Sequence, residues 1–390
     1  MATLALQTLA TMAAFTVPAA APAIARDLDV EPALVGFFVS MVYGVGILSA
    51  VLSPVLIRRF GAVRVGQAVL VAVVVMLVAA AGGGSVGMLA LAAVLLGCGY
   101  GATAPVAAHL LLPRTAKRTL NLVISIRQIG VPLGGILSGL IVPPIVLAAG
   151  WRWALIVQVV PVVALLALLQ IPRRRWDSDR DPRQPLATGA WLLPFRLLGE
   201  RIELRALSVA CFVYSGLQLC FIAFMTVHLT AATGFDLIRA GQTLAVYQIS
   251  GAVSRPIWGW IADRLVPARL LLALQGLVMA AAAIATGQFG AGWPAWSIFL
   301  VGAVAGASAS GFTGIAYAEY ARIGGDRRTE ATGLGSAVMF AGVLVIPSLF
   351  GVTIAAADSY RTAYLMIALL AAACGIALGL ARQIPAGRRE

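Results

Sequence analysis

The stretch GWIADRLVPAR, residues 259–269, ends a long apolar run with a charged turn that contains Asp263 and Arg264. A similar stretch, PVLIRRFGAVR, occupies residues 54–64 and follows an earlier apolar run, so the two copies lie 205 residues apart. A repeat at this distance predicts that the 390-residue chain consists of two halves of similar construction.

The composition predicts a membrane protein. Hydrophobic residues make up 61% of the chain and charged residues 11%, whereas soluble domains have about 45–50% and about 25%. Apolar runs long enough to cross a hydrocarbon core of about 30 Å recur along the chain, and helices are expected because lipid offers no partner to unpaired backbone groups. The twelve predicted spans are residues 2–25, 33–57, 65–84, 87–111, 119–148, 152–172, 206–231, 238–261, 270–288, 295–319, 331–356 and 361–381.

The longest polar stretch, RRRWDSDRDPRQPLATGAW, starts at Arg173 and separates the sixth span from the seventh. Its charged and turn-forming residues indicate a linker. The predicted domains are an N-terminal six-helix bundle at 1–172, a cytoplasmic linker at 173–205, and a C-terminal six-helix bundle with a cytoplasmic tail at 206–390. The expected fold class is therefore all-α integral membrane, with twelve transmembrane helices in two six-helix bundles.

The formal net charge of +13 reflects topology rather than a nucleic-acid partner, because the basic residues are spread through short connections and form no single basic face. Most of them fall in connections on one side of the predicted membrane, which the positive-inside rule assigns to the cytoplasm. Both termini are then cytoplasmic, and the chain is expected to be a multi-pass monomer in lipid of the cell (inner) membrane. The opposite connections hold only Arg26, Arg152, Arg239 and Arg361.

The second copy of the repeat resembles the G-x-x-x-D-R-x-G-R-[RK] loop signature of the major facilitator superfamily, through Gly259, Asp263 and Arg264. The first copy departs from this signature, since Pro54 and Arg58 stand where it has glycine and aspartate. The segments GWRW (150–153) and IRQIGVPLGGILSGL (126–140) resemble the same superfamily. The resemblance implies two bundles around a central cavity that opens alternately to either side.

Five charged residues are candidates for gating or coupling. The carboxylate of Asp263 can bind nearby arginines, with Arg264 and Arg269 as candidates, or a neighbouring helix terminus, and so hold the cytoplasmic side closed. Glu319, near the inner end of the tenth span, can pair with Arg322 one turn later as a gate partner or proton site. The alternatives are a topology anchor for Asp263 and a plain surface pair for Glu319.

Arg127 and Arg255 are the two basic residues that belong to no predicted loop. An unpaired arginine within a span costs at least about 2.5 kcal/mol, so each should face a cavity or a partner. The segment SRPIWGW (254–260) resembles the A-R-P-x-x-G segment of bacterial monocarboxylate and organic-anion porters, which implies that Arg255 meets a substrate carboxylate. A guanidinium fits a carboxylate with two parallel hydrogen bonds. Alternatively, Arg255 reaches the cytoplasmic surface or braces Asp263.

The chain departs from those porters in two respects. Gly251 replaces their aspartate one turn before the arginine, and the first span lacks their acidic, glycine-rich opening motif. The loss of that aspartate weakens the expectation of proton coupling that the resemblance brings. Other polar span residues are candidates to complete the substrate site by their position alone: Gln128, Tyr43, Tyr214, Gln218, Tyr247, Gln248 and Tyr317.

The sign of the intramembrane charge favours one transport function. Exporters of cations and drugs need a buried negative group, yet Glu319 is the one acidic residue predicted within a span. We therefore expect a secondary active transporter for a small organic anion, a carboxylate, coupled to protons. The alternative is a drug or cation exporter of the same superfamily. An integral membrane enzyme would need a catalytic cluster, and the sequence suggests no catalytic residue, metal site or cofactor.

Overall fold

The computed structural model describes residues 1–30, 32–185 and 193–380, and these residues are mostly helical. In the first half, some spans are one helix and others are two consecutive helices. The first to sixth spans are α1 Ala2–Ala19 with α2 Ala21–Leu28, α3 Pro32–Phe60, α4 Ala62–Gly82, α5 Val86–Tyr100 with α6 Thr103–Leu111, α7 Leu120–Gln128 with α8 Gly130–Ala149, and α9 Trp151–Ile156 with α10 Val159–Leu168.

Two short helices, α11 Arg173–Trp176 and α12 Leu193–Glu200, lie between the sixth and seventh spans. The tenth span is interrupted by a π-helical segment, Gly306–Ser310. The seventh to twelfth spans are α13 Ile202–Thr233, α14 Leu237–Arg264, α15 Ala268–Gly287, α16 Ala295–Ala305 with α17 Thr313–Gly324, α18 Arg328–Ala357, and α19 Tyr360–Leu380.

The prediction of an all-α, multi-span fold is confirmed. Ten stretches of described helix are long and apolar enough to cross a membrane, and one of them, Ala295–Ala357, contains both the tenth and eleventh spans. The eighth span, α14, is not among the ten. Its arginines and glutamines lower its hydropathy, and this polar content marks it as a span that faces other protein segments or a cavity.

Each half has its own hydrophobic core. One cluster of buried side chains extends along the chain from Leu6 to Leu169. The other extends from Leu197 to Leu378 and includes only Ala104 and Ile124 from the first half. The domain boundaries themselves stay a prediction, and the predicted tail from residue 381 onward lies outside the described residues.

The halves pack closely where the second and eighth spans end, which we call the signature side. Span 8 approaches span 5 at Gly259, where an added Cβ would lie 2.8 Å from the backbone of Leu122. Span 11 approaches span 2 at Gly333, where an added Cβ would lie 2.6 Å from the carbonyl oxygen of Ala50. Glycine is needed at both positions because two backbones meet there.

The first described part of the predicted linker, residues 173–185, is anchored to the first half. The Asp177 carboxylate accepts hydrogen bonds from the backbone N–H groups of Val63 (2.7 Å) and Arg64 (3.1 Å), at the start of α4. Gly61 precedes this helix with φ of 97°, and an added Cβ would lie 2.3 Å from Asp177 Cγ. Burial of Asp177 raises the pKa of its carboxyl group. Gly61 is therefore required both by its φ and by the lack of space.

A second anchor lies on the side opposite the signature, called here the far side. Arg152 Nη1 and Trp151 Nε1 donate to Asp27 Oδ2 at 2.7 and 3.2 Å. The GWRW segment thus ties the end of span 1 to the start of span 6.

Candidate substrate-binding cavity

A cavity of about 440 Å³ lies between the two halves. The packed contacts of the signature side close one end of it, and its walls include Pro18, Gly139 and Ile222 from the far-side halves of their spans. Seven of the nine predicted binding residues line it: Arg127, Gln128, Arg255, Tyr43, Gln218, Gln248 and Tyr317.

Arg255 is held at the closed end of this cavity and is only 1% exposed. Its Nε and Nη2 donate to the carbonyl oxygen and hydroxyl of Ser310, at 3.0 and 3.1 Å. Its Nη1 donates to the backbone carbonyl of Gln128, which belongs to the other half. Arg255 therefore neither reaches the surface nor braces Asp263.

Arg127 is 4% exposed and contacts the side chain of the same glutamine. Its Nη1 donates to Gln128 Oε1, and its Nη2 donates to Gln7 Oε1 at 2.6 Å. Gln7 in turn donates to Thr11 at 3.0 Å, and the Thr11 hydroxyl lies 3.2 Å from that of Tyr100. Gln128 thus touches both guanidinium groups, and a polar chain supports Arg127 from span 1.

The two guanidinium groups retain unused donors. A guanidinium has five N–H groups; the described contacts use three on Arg255 and two on Arg127. Arg127 Nε is buried and has no hydrogen-bond partner among the described residues. None of the acceptors just named is a carboxylate, so two positive charges stand here among neutral groups. Such an arrangement favours an anion strongly.

Aromatic side chains form the wall beside the arginines. Tyr43, Tyr100 and Phe340 contact one another with ring-centroid distances of 5.0 to 5.8 Å. The hydroxyl oxygen of Tyr317 lies 3.0 Å from the hydroxyl oxygen of Ser336. The cavity therefore combines a cationic end with apolar and aromatic walls, which is typical of small-molecule sites.

The two remaining candidates do not line the cavity. Tyr214 is fully buried and packs edge-on against Phe312 at 5.6 Å. Tyr247 is also fully buried, and its hydroxyl lies 3.4 Å from the carbonyl oxygen of Gln218. Both are placed in the core of the second half rather than in reach of a substrate.

Asp263 contacts the other half at a helix N-terminus. Its Oδ1 accepts from the backbone N–H and the side-chain amide of Asn121, at 3.1 and 2.9 Å, and its Oδ2 accepts from the N–H of Leu122 at 2.9 Å. These groups begin α7, where a carboxylate is stabilised by unpaired N–H groups and by the helix dipole. Arg264 is exposed, and Arg269 donates to the carbonyl of Leu378 at 2.8 Å instead of binding Asp263.

The remaining predicted pair forms within one helix. Arg322 donates to both carboxylate oxygens of Glu319, at 2.7 and 2.5 Å. Glu319 is 2% exposed, so its carboxylate is buried although Arg322 reaches the solvent. This pair lies within span 10 and makes no bridge between the halves by itself.

The sequence reasoning missed one ion pair that does bridge the halves. Arg58, at the end of span 2, pairs with Glu330, in the first turn of span 11. Arg58 in the first copy of the repeat corresponds to Asp263 in the second copy. The basic substitution in the degenerate copy is thus matched by an acid on the facing span. A basic residue at this position is therefore a sequence signal for an acidic partner on a facing span.

Residues 3–324 match the sequence profile of the Major Facilitator Superfamily. The chain belongs to this superfamily. The match covers more than half of the chain and confirms the family that the signature loop suggested. The expectation of a membrane transporter rather than an enzyme is confirmed with it.

Solved structures of other superfamily transporters share the fold. The E. coli fucose:proton symporter FucP aligns with a TM-score of 0.72 at 14% identity over 98% of both chains. The proton:xylose symporter XylE aligns with a TM-score of 0.74 at 14% identity, over 96% of this chain and 93% of its own. The human organic anion transporter MFSD10 gives a TM-score of 0.73 at 17% identity, over 96% of this chain and 98% of its own.

One group of curated relatives is similar in sequence over a shorter segment. The probable nitrate/nitrite transporter NarK2 of Mycobacterium tuberculosis is 30% identical over 125 residues. This segment is 32% of the present chain and 29% of that transporter, so less than a third of the relative is matched.

Proposed function

We propose that this superfamily member is a secondary active transporter for a small anion, with an organic carboxylate as its substrate. The observation that supports this most is the pair of buried guanidinium groups at the closed end of the cavity, which touch one glutamine and retain free N–H donors. A planar carboxylate can accept from both groups at once. The aromatic and apolar walls above them suit the carbon skeleton of such a substrate.

The exporter alternative receives little support from the cavity. A cation would have to enter a site that holds two positive charges, and among the described residues that line it none is acidic. Unpaired like charges at short range disfavour its binding. We therefore rank the cation exporter below the anion transporter.

A second candidate substrate is an inorganic oxyanion. The partial similarity to a protein named as a probable nitrate/nitrite transporter favours it. Nitrate, like a carboxylate, presents oxygens in a plane and carries one negative charge, so the same donor fork could hold it. The two candidates differ in the body of the substrate and not in the charged group.

The gate and the membrane orientation complete the proposal. The signature side is taken as cytoplasmic, with both termini there, and is closed by Asp263 at the start of α7 and by the pair Arg58–Glu330. Because none of the described residues that line the cavity is acidic, a carboxylate that carries the coupled proton would lie outside the lining. The buried acids Glu319 and Glu330 are the candidates.

The test is uptake into proteoliposomes of labelled L-lactate, benzoate, succinate, nitrate and tetraethylammonium, with and without an inward proton gradient. The wild type is compared with Arg255→Ala and with Arg361→Ala, which removes an exposed arginine outside the cavity. Anion uptake that is lost in Arg255→Ala alone supports the proposal. Uptake of the cation, or anion uptake indifferent to Arg255, would contradict it.

A further inference from the structure

Span 5 is interrupted where it passes the cavity. α7 ends at Gln128 and α8 begins at Gly130. In a continuous helix, the carbonyl of residue 128 would accept from the N–H of residue 132. That residue is Pro132, which has no N–H, and its ring displaces the carbonyl four positions earlier. The Gln128 carbonyl is therefore left without its usual helical donor.

The donor that reaches this carbonyl comes from the other half. Arg255 gives one N–H to Gln128 and two to Ser310, and Ser310 is the last residue of the π-helical segment in span 10. Both backbone acceptors thus stand at irregularities in their helices, where carbonyls depart from the regular helical pattern. Arg255 ties span 5 to spans 8 and 10 at the closed end of the cavity.

Resting on the proposed anion transport, we infer that Pro132 and Gln128 are positioning residues for Arg255. The Gln128 carbonyl holds the guanidinium in place, and it is replaced as acceptor when an anion binds. An ionised oxygen is a stronger acceptor for a guanidinium than a neutral carbonyl. Arg127 is bound to the side chain of the same glutamine and is placed to share the anion.

This exchange of acceptors couples binding to gating. While the cavity is empty, the contact between Arg255 and Gln128 adds to the packing of Gly259 against span 5 on the signature side. After the exchange, Arg255 no longer holds the span 5 backbone directly, and the anion between Arg255 and Arg127 replaces this short contact with a longer one. The signature side then opens more readily with substrate than without it.

The experiment measures the distance between spin labels on Lys117→Cys and Leu265→Cys, two exposed positions beside the signature-side ends of spans 5 and 8. The background is Cys98→Ala, because Cys98 is the exposed cysteine and the other three are buried. Pro132→Ala restores a backbone N–H at residue 132, which can donate to the Gln128 carbonyl within the helix and so compete with Arg255 for it. Pro143→Ala, a proline elsewhere in α8, is the matched control.

Without any anion, Pro132→Ala should raise the fraction of molecules with a long label distance by about tenfold. The loss of one hydrogen bond to a charged group shifts an equilibrium constant by about this factor. Pro143→Ala should leave it unchanged. Benzoate or nitrate should shift the wild type further than it shifts Pro132→Ala. An unchanged fraction in Pro132→Ala, or an equal rise in both proline variants, overturns the inference.

If Pro132→Ala does not fold, Arg255→Gln tests the inference in the same label-distance measurement. The inference requires a raised open fraction in that variant without anion, and an unchanged fraction overturns it. The anion-free comparison needs no substrate, so its failure is distinct from failure of the proposed function, which is the absence of anion uptake.

Discussion

At the scale of single residues, the planar fork of Arg255 should matter more than its charge. Arg255→Lys keeps the positive charge but offers no paired N–H groups, so it cannot contact Ser310 and at the same time present two parallel donors to an anion. We expect the KM for the transported anion to rise by about tenfold or more, as for the loss of one charged hydrogen bond. Uptake kinetics in proteoliposomes measure this, and wild-type kinetics in Arg255→Lys would exclude bidentate binding.

The ion pair between Arg58 and Glu330 allows a charge-exchange test. Arg58→Glu and Glu330→Arg each place like charges at the interface between the halves, and the carboxylate of Glu330 is buried. Each single variant should lose most of its transport and melt at a lower temperature in detergent. The double variant restores opposite charges and should recover much of both. If the double variant is as impaired as the worse single variant, the pair does not act as a unit.

Single residues also show what sequence reasoning can reach. Arg127 and Arg255 were predicted as cavity residues because an arginine in lipid needs a partner or water, and both line the cavity. Tyr214 and Tyr247 were placed by span alone, and both lie in the core instead. The face of a helix that is apolar on all sides cannot be assigned from its own pattern.

At the scale of elements, close contact between spans 5 and 8 depends on Gly259. Gly259→Ala should weaken the closed signature side, because the added Cβ would lie 2.8 Å from the backbone of Leu122. We expect a larger fraction of open signature side in the label-distance measurement and a lower melting temperature. Gly241→Ala is the matched control in the same span, since nothing lies within 4 Å of its added Cβ. Equal effects of both substitutions would refute a packing role.

The helices themselves followed from apolar run length, but their interruptions did not. The fifth span was expected to be one helix over 119–148, and the break after Gln128 divides it. Pro132 indicates a bend in the span, but the sequence does not show which donor would bind the carbonyl that this proline frees. The π-helical segment Gly306–Ser310 has no comparable sequence signal, because its cost is offset by hydrogen bonds from span 8.

At the scale of the whole molecule, the two halves meet on the signature side through two related contacts, one made by an acidic residue and the other by a basic residue. The second copy of the repeat places Asp263 against the start of span 5, whereas the first places Arg58 against Glu330 in the first turn of span 11. In the first copy, the glycine that permits close approach is not on span 2, where Pro54 stands, but is Gly333 on the facing span 11. The repeat predicted the symmetry, but the compensating residues lie outside the repeated stretch.

The proposed alternating access requires these cross-half contacts to separate in every cycle. Arg58→Cys with Glu330→Cys, joined by a short bis-methanethiosulfonate reagent in a Cys98→Ala background, should therefore stop uptake almost completely, and a reducing agent should restore it. The control is Gln67→Cys with Gln170→Cys, whose native side chains lie 3.1 Å apart within the first half. Joining that pair should leave uptake nearly unchanged, because both residues belong to the predicted N-terminal bundle, within which no separation is expected. Full uptake with residues 58 and 330 joined would mean that the signature side does not open during transport.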